Sequence, residues 1–163
     1  MTETLNRPTA GRLRDHGDHG DHGDHGDHGD PGGSPGGWRP DPGSIPPPEW
    51  RVTATDGEKL AFACATLRHY GIATASGATG APEEVASRLT AVVQAKRPNA
   101  DAAFVYWTDD DQARSMDSSG GLRQPLSVHA VGRGVEEAAT AAFRRAGLAV
   151  RDGATPHILT VGG

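Results

Sequence analysis

Ala103-Phe104-Val105-Tyr106-Trp107-Thr108-Asp109-Asp110-Asp111 carries the clearest structural signal in the chain. Its first five residues are apolar and rich in aromatics, which predicts a strand. Thr108, followed three residues later by Asp111, reads as a capping box that opens a short helix through Met116. Ser118–Gly121 then forms a turn. A second strong strand follows at Leu126–Val131 (LSVHAV), with apolar side chains at alternate positions.

Working outward from this pair, Gly132-Arg133-Gly134 leads into a helix. Val135, Ala139, Ala142, Phe143 and Ala146 mark its buried stripe, and Gly147 follows as its cap. Leu148–Arg151 and His157–Val161 read as two more strands around an Asp152-Gly153 turn. On the N-terminal side, Thr55 or Asp56 caps a helix running to Tyr70, with Leu60, Ala63, Cys64, Leu67 and Tyr70 on its apolar face and Gly71 after it. Ile72–Ala75 is a short strand and Ser76–Ala81 a loop of small residues. Pro82 stands at a first helical position, with Glu83 and Glu84 suiting the helix dipole. Val85, Leu89, Val92, Val93 and Lys96 mark that helix's stripe, and Pro98 stops it. Glu49–Thr55 reads as an entry segment in edge-strand conformation. Helices early and between, with strands clustered late, predict an α+β two-layer sandwich. Its sheet is mixed or antiparallel, with helices on one face and the strand order left open.

The 163 residues divide sharply. Residues 1–48 hold 11 Gly and 8 Pro but only six apolar side chains, too few to offset the entropy of ordering them. They are expected to form a disordered N-terminal arm. Residues 49–163 are expected to form one small domain. The domain has 12 Lys+Arg against 13 Asp+Glu, and the arm four Arg against eight acids. Neither shows the basic footprint of a nucleic-acid binder. No run of about 18 apolar residues exists to span a membrane. One cysteine, Cys64, excludes a disulfide scaffold. With no apolar signal-peptide core near the start, the expected location is cytoplasmic.

Within the arm, residues 15–30 are five copies of Asp-His-Gly closed by Asp30. His16, His19, His22, His25 and His28 are candidate ligands for weakly bound Ni²⁺ or Zn²⁺, since imidazole suits both ions. In polyproline II the three-residue period puts these histidines on one side, about 9.3 Å apart. That is too far to share an ion at about 2.0–2.1 Å, so the chain must wrap to chelate. The same repeat also fits a charge switch near pH 6.5, or a tandem duplication that the arm tolerates. Pro46-Pro47-Pro48 is expected to be a stiff polyproline segment ending where the domain begins.

Phe104-Val105-Tyr106-Trp107 with Asp109-Asp110-Asp111-Gln112-Ala113-Arg114, then Gly120-Gly121-Leu122, then Ala146-Gly147-Leu148 to Gly153, resembles an uncharacterised bacterial domain family. The resemblance covers roughly residues 104–153. The family has no assigned activity, so it implies an order of elements and no chemistry.

Four other features bear on chemistry. Cys64 lies mid-helix on an apolar stripe, an inert setting for a thiol. Gly132-x-Gly134 lacks the third glycine of a dinucleotide turn, and Glu136 and Glu137 stand where a phosphate would approach. Asp109, Asp110, Asp111 and Asp117 are contiguous or distant, unlike an EF-hand loop. His129 and His157, on two strands, make an acid–base or metal site only if the fold joins them to a carboxylate. No catalytic motif is present, so the leading expectation is a non-catalytic binding or interaction domain with a protein partner. Metal buffering by the arm, and an enzyme using His129 or His157, are the alternatives.

Overall fold

Local capping signals set most of the boundaries in the computed structural model, which describes residues 43–162. Helix α1 spans Pro48–Thr53. Pro47 is extended at its N-cap, and Pro48 supplies a preset φ where no N–H partner is needed. The expected edge strand over 49–55 is therefore a helix, and the polyproline run yields its last member to it. Trp50 packs on Phe62, ring centroids 5.4 Å apart. Pro46 is fully buried, so packing begins a few residues before position 49.

Helix α2 spans Asp56–His69 behind a full capping box between Thr55 and Glu58. Gly71 follows at φ +83°, the left-handed position that favours glycine after a helix. Strand β1 runs Ala73–Ala78, so Ser76–Ala78 extend the strand instead of joining the expected loop. Parallel pairing with the next strand holds them, with a bulge between Ala75 and Ala78. Helix α3 spans Pro82–Lys96. Strand β2 is Phe104–Thr108, helix α4 Asp109–Ser115 and strand β3 Leu126–Val131. Helix α5 is Val135–Arg145, followed by strands β4 (Ala149–Asp152) and β5 (Ile158–Gly162).

The fold is α+β with a mixed five-stranded sheet in the order β1-β2-β3-β5-β4. Only β1 and β2 are parallel; the remaining neighbours are antiparallel. Strand β5 enters between β3 and β4, splitting the β3–α5–β4 unit.

Alternation along β2 divides the core. Val105 and Trp107 join the cluster formed with α2 and α5, around Leu60, Leu67, Phe143, Leu126 and Leu159. Phe104 and Tyr106 turn the other way, onto Val85, Leu89 and Val93 of α3. Helices α2 and α5 thus share one face as expected, whereas α3 covers the opposite face over β1 and β2. The physical reason is handedness: the β1–α3–β2 and β3–α5–β4 units step the same way across the sheet on strands that run in opposite directions, so right-handed crossovers put α3 and α5 on opposite faces. Tyr70 and Val92, both placed on apolar stripes from sequence, remain exposed. Phe62, outside the predicted stripe, is buried because Trp50 covers it.

Candidate functional site

Because α3 stops at β2, the same face of β3, β5 and β4 stays bare. Ser127, His129, Ile158 and Thr160 are half-buried there, and Arg151 is exposed. Register sets them in rows. Tyr106 pairs with His129 and His129 with Ile158, while Ser127 pairs with Thr160 and Thr160 with Arg151.

A cleft of about 670 Å³ opens where this bare face meets the first turns of α3 and α4. Thr108, Ser127, His129 and Ile158 form its floor. Gly80-Ala81-Pro82 forms one wall, and Asp109, Asp110, Asp111 and Arg114 form the other. Both walls are fixed by local chemistry. The Tyr106 hydroxyl donates to the Pro82 carbonyl at 2.9 Å, pinning the start of α3 to the sheet. Asp111 Nα donates to Thr108 Oγ1 at 3.1 Å, and Thr108 Oγ1 donates to Asp111 Oδ2 at 2.7 Å. Arg114 Nη2 donates to Asp111 Oδ1 at 2.8 Å. The Asp111 carboxylate, 8 % exposed, is thereby committed to structure.

His129 lies flat on Tyr106, centroids 4.6 Å apart and rings 13° from parallel. Among the described residues, neither the His129 imidazole nor the Ser127 hydroxyl makes a hydrogen bond, so both are available to an occupant. Burial pushes the His129 pKa below the ordinary histidine value, while the Asp111 and Glu83 carboxylates pull it partly back. Burial also raises the Tyr106 hydroxyl, helped by Glu83 and Asp111. The site therefore presents a neutral imidazole at pH 7 beneath a surplus of carboxylates. Its free hydroxyl and imidazole do not meet: Ser127 and His129 sit two residues apart on one strand, about 6.6 Å by strand rise, and the hydroxyl that does meet a carboxylate, that of Thr108, serves as the cap of α4.

The other sequence candidates fall elsewhere. His157, at φ +66°, reaches Glu136 of α5 with Nδ1 3.7 Å from Oε2, and its side chain is 72 % exposed. His129 faces away from α5, so the fold does not join the two histidines. Asp117 lies apart from the Asp109–Asp111 run and shapes a turn instead. Its Oδ1 accepts from Ser119 Oγ at 2.6 Å and from the Ser119 and Gly121 amides, both at 2.9 Å. Those bonds, the Ser119 hydroxyl first, hold its pKa below the usual carboxylate value. No three metal-ligating side chains converge among the described residues. Gly132 serves packing: a Cβ there would stand 2.6 Å from the Ala102 carbonyl oxygen. Cys64 is buried, and desolvation pushes its thiol up to about 11 against the pull of Arg68 and a hydrogen bond with Thr74. His16, His19, His22, His25 and His28 lie outside the described residues, as does most of the arm.

Comparison with protein-family models, curated proteins and solved structures finds no match to this chain. No described helix is long and apolar enough to cross a membrane.

Proposed function

We propose that this protein is a non-catalytic binding module whose recognition site is the cleft beside His129, and that its occupant is a side chain of a protein partner. One observation carries the reading: the cleft is built from pinned walls, yet its floor offers an imidazole and a hydroxyl with no hydrogen-bond partner among the described residues. Its volume lies within the range of small-ligand sites. With Asp111 neutralised by Arg114, Asp109 and Asp110 leave the rim negative, which favours a basic side chain over an anion.

Arginine amide, as a stand-in for such a side chain, tests it by amide chemical-shift mapping. The expected shifts cluster at Ala81, Asp110, Ser127 and His129 and weaken in Asp110→Asn. Shifts scattered over the surface, or none at millimolar concentration, overturn it.

A second reading rests on the five Asp-His-Gly copies: the arm sequesters Ni²⁺ or Zn²⁺. Calorimetric titration of the full chain at pH 7.5 should show binding that disappears when all five histidines become serine. Acidification to pH 5.5 should weaken it as the imidazoles protonate. Equal heats from both chains refute this reading.

A further inference from the structure

Three candidates stand out beyond the described binding role: the bare face of β3, β5 and β4, the short edge strand β4, and His129 itself. The face and the edge strand carry no sign of what covers them. His129 carries more, because it stands on the floor of a cleft between the first turns of two helices, with the acidic start of α4 on one side.

The groups around it are few. From β2 comes the Tyr106 ring, stacked at 4.6 Å, whose hydroxyl fixes the Pro82 carbonyl. From α3 comes Glu83, whose carboxylate acts on both Tyr106 and His129. The neighbouring Glu84 is turned back, its Oε2 accepting from Ala81 N at 3.4 Å. From α4 come Asp109, Asp110 and the Asp111–Arg114 pair. Strand β5 contributes the uncharged Ile158.

We propose that His129 is a proton-operated gate to the cleft: neutral, it leaves the negative cleft to a basic side chain, and protonated, it supplies a cation from the floor and excludes one from outside. The stack makes this feasible, since an imidazolium lying on a tyrosine ring gains a cation–π attraction and can charge without leaving its place. Partial burial keeps the ring neutral at pH 7, so the gate closes only in acid. Linkage demands reciprocity: a basic occupant must lower the affinity of His129 for its proton by the factor by which that proton weakens the occupant. This regulation rests on the cleft being the binding site described above.

The test has two arms on the full chain. Without any occupant, the His129 ring resonances should titrate with a midpoint below about 6.5. The Ala81, Thr108 and Asp110 amides should share that midpoint and lose it in His129→Gln. With arginine amide acetylated on its α-amino group, so that the guanidinium alone is charged, binding should weaken at least about fivefold between pH 8 and pH 5, and the ratio between the two pH values should fall to about one in His129→Gln whatever that variant's affinity at pH 8. If arginine amide fails to bind at pH 8, the basic occupant, and with it the exclusion half of the gate, is overturned, while the occupant-free arm still decides the proton half. A midpoint at or above about 6.5, or a pH response that persists in His129→Gln, overturns the gate.

Discussion

Replacing Asp111 by alanine probes the join between the central strand and the cleft wall. The carboxylate takes Thr108 Oγ1 at 2.7 Å, Thr108 N at 3.3 Å and Arg114 Nη2 at 2.8 Å. The buried, charge-assisted hydroxyl bond is worth about 1.5–3 kcal/mol. Arg114 is 71 % exposed, so its pair adds only about 0.3–0.5 kcal/mol after solvent screening. The amide bond is long and contributes little. The expected loss is about 2–3 kcal/mol, equivalent to a drop in Tm of roughly 5–10 °C for a chain of this size, at about 2–4 °C per kcal/mol. Denaturant unfolding followed by tryptophan fluorescence and by far-ultraviolet circular dichroism measures it. Thr108→Val in the same background closes a double-mutant cycle, and a coupling of about 1.5 kcal/mol is expected between the two side chains. Additivity within about 0.5 kcal/mol refutes the reasoning, because the two groups then do not act as one cap.

Three further outcomes are expected. Gly77→Ala places a Cβ 2.8 Å from Gln112 Oε1 at a backbone φ of +59°. It should cost about 2–3 kcal/mol and free the Trp107 indole N–H that Gln112 now accepts at 3.0 Å, seen as a shift in tryptophan emission. His129 binds its proton less tightly folded than unfolded, so the stability it contributes is complete above about pH 6.5 and falls as pH drops toward its folded pKa. Unfolding free energies from pH 8 to pH 5 should show that slope, and His129→Gln should remove it. Cys64, with its pKa near 11, should resist a disulfide exchange reagent in the native chain at pH 8 and react at once in denaturant.

The sequence was most legible where local chemistry decides the conformation. Thr108–Asp111 is contained within four residues and forms the expected capping box, and of the two caps offered for α2 it is Thr55 that serves, in a box with Glu58. The alternation of LSVHAV fixed which side of β3 meets the core, so Leu126, Val128 and Ala130 are buried and His129 is not. Legibility failed where a distant partner decides. Trp50 reads as strand by propensity, but Pro48 starts a helix and Phe62 receives the indole. Ser76–Ala78 reads as loop by composition, yet pairing with β2 makes it strand. The cleft was hidden for the same reason. His129 and Ser127 were visible as polar members of a strand, but Tyr106 becomes their neighbour only through the β2–β3 register, and Pro82 only through the tyrosine hydroxyl.

The place of β5 in the sheet bears on how the chain is made. Leu159 and Val161 are fully buried on an interior strand, yet they are translated after every other described strand. On the ribosome, a chain that has emerged only as far as residue 157 can pair β1, β2 and β3, while β4 has no neighbour to join. The β3 edge is then open and α5 lacks the part of its packing that β5 supplies, a state with the exposed apolar surface that chaperones and proteases recognise. A chain truncated before Ile158 should therefore be far more open to proteolysis than the full chain, although it lacks only one short strand.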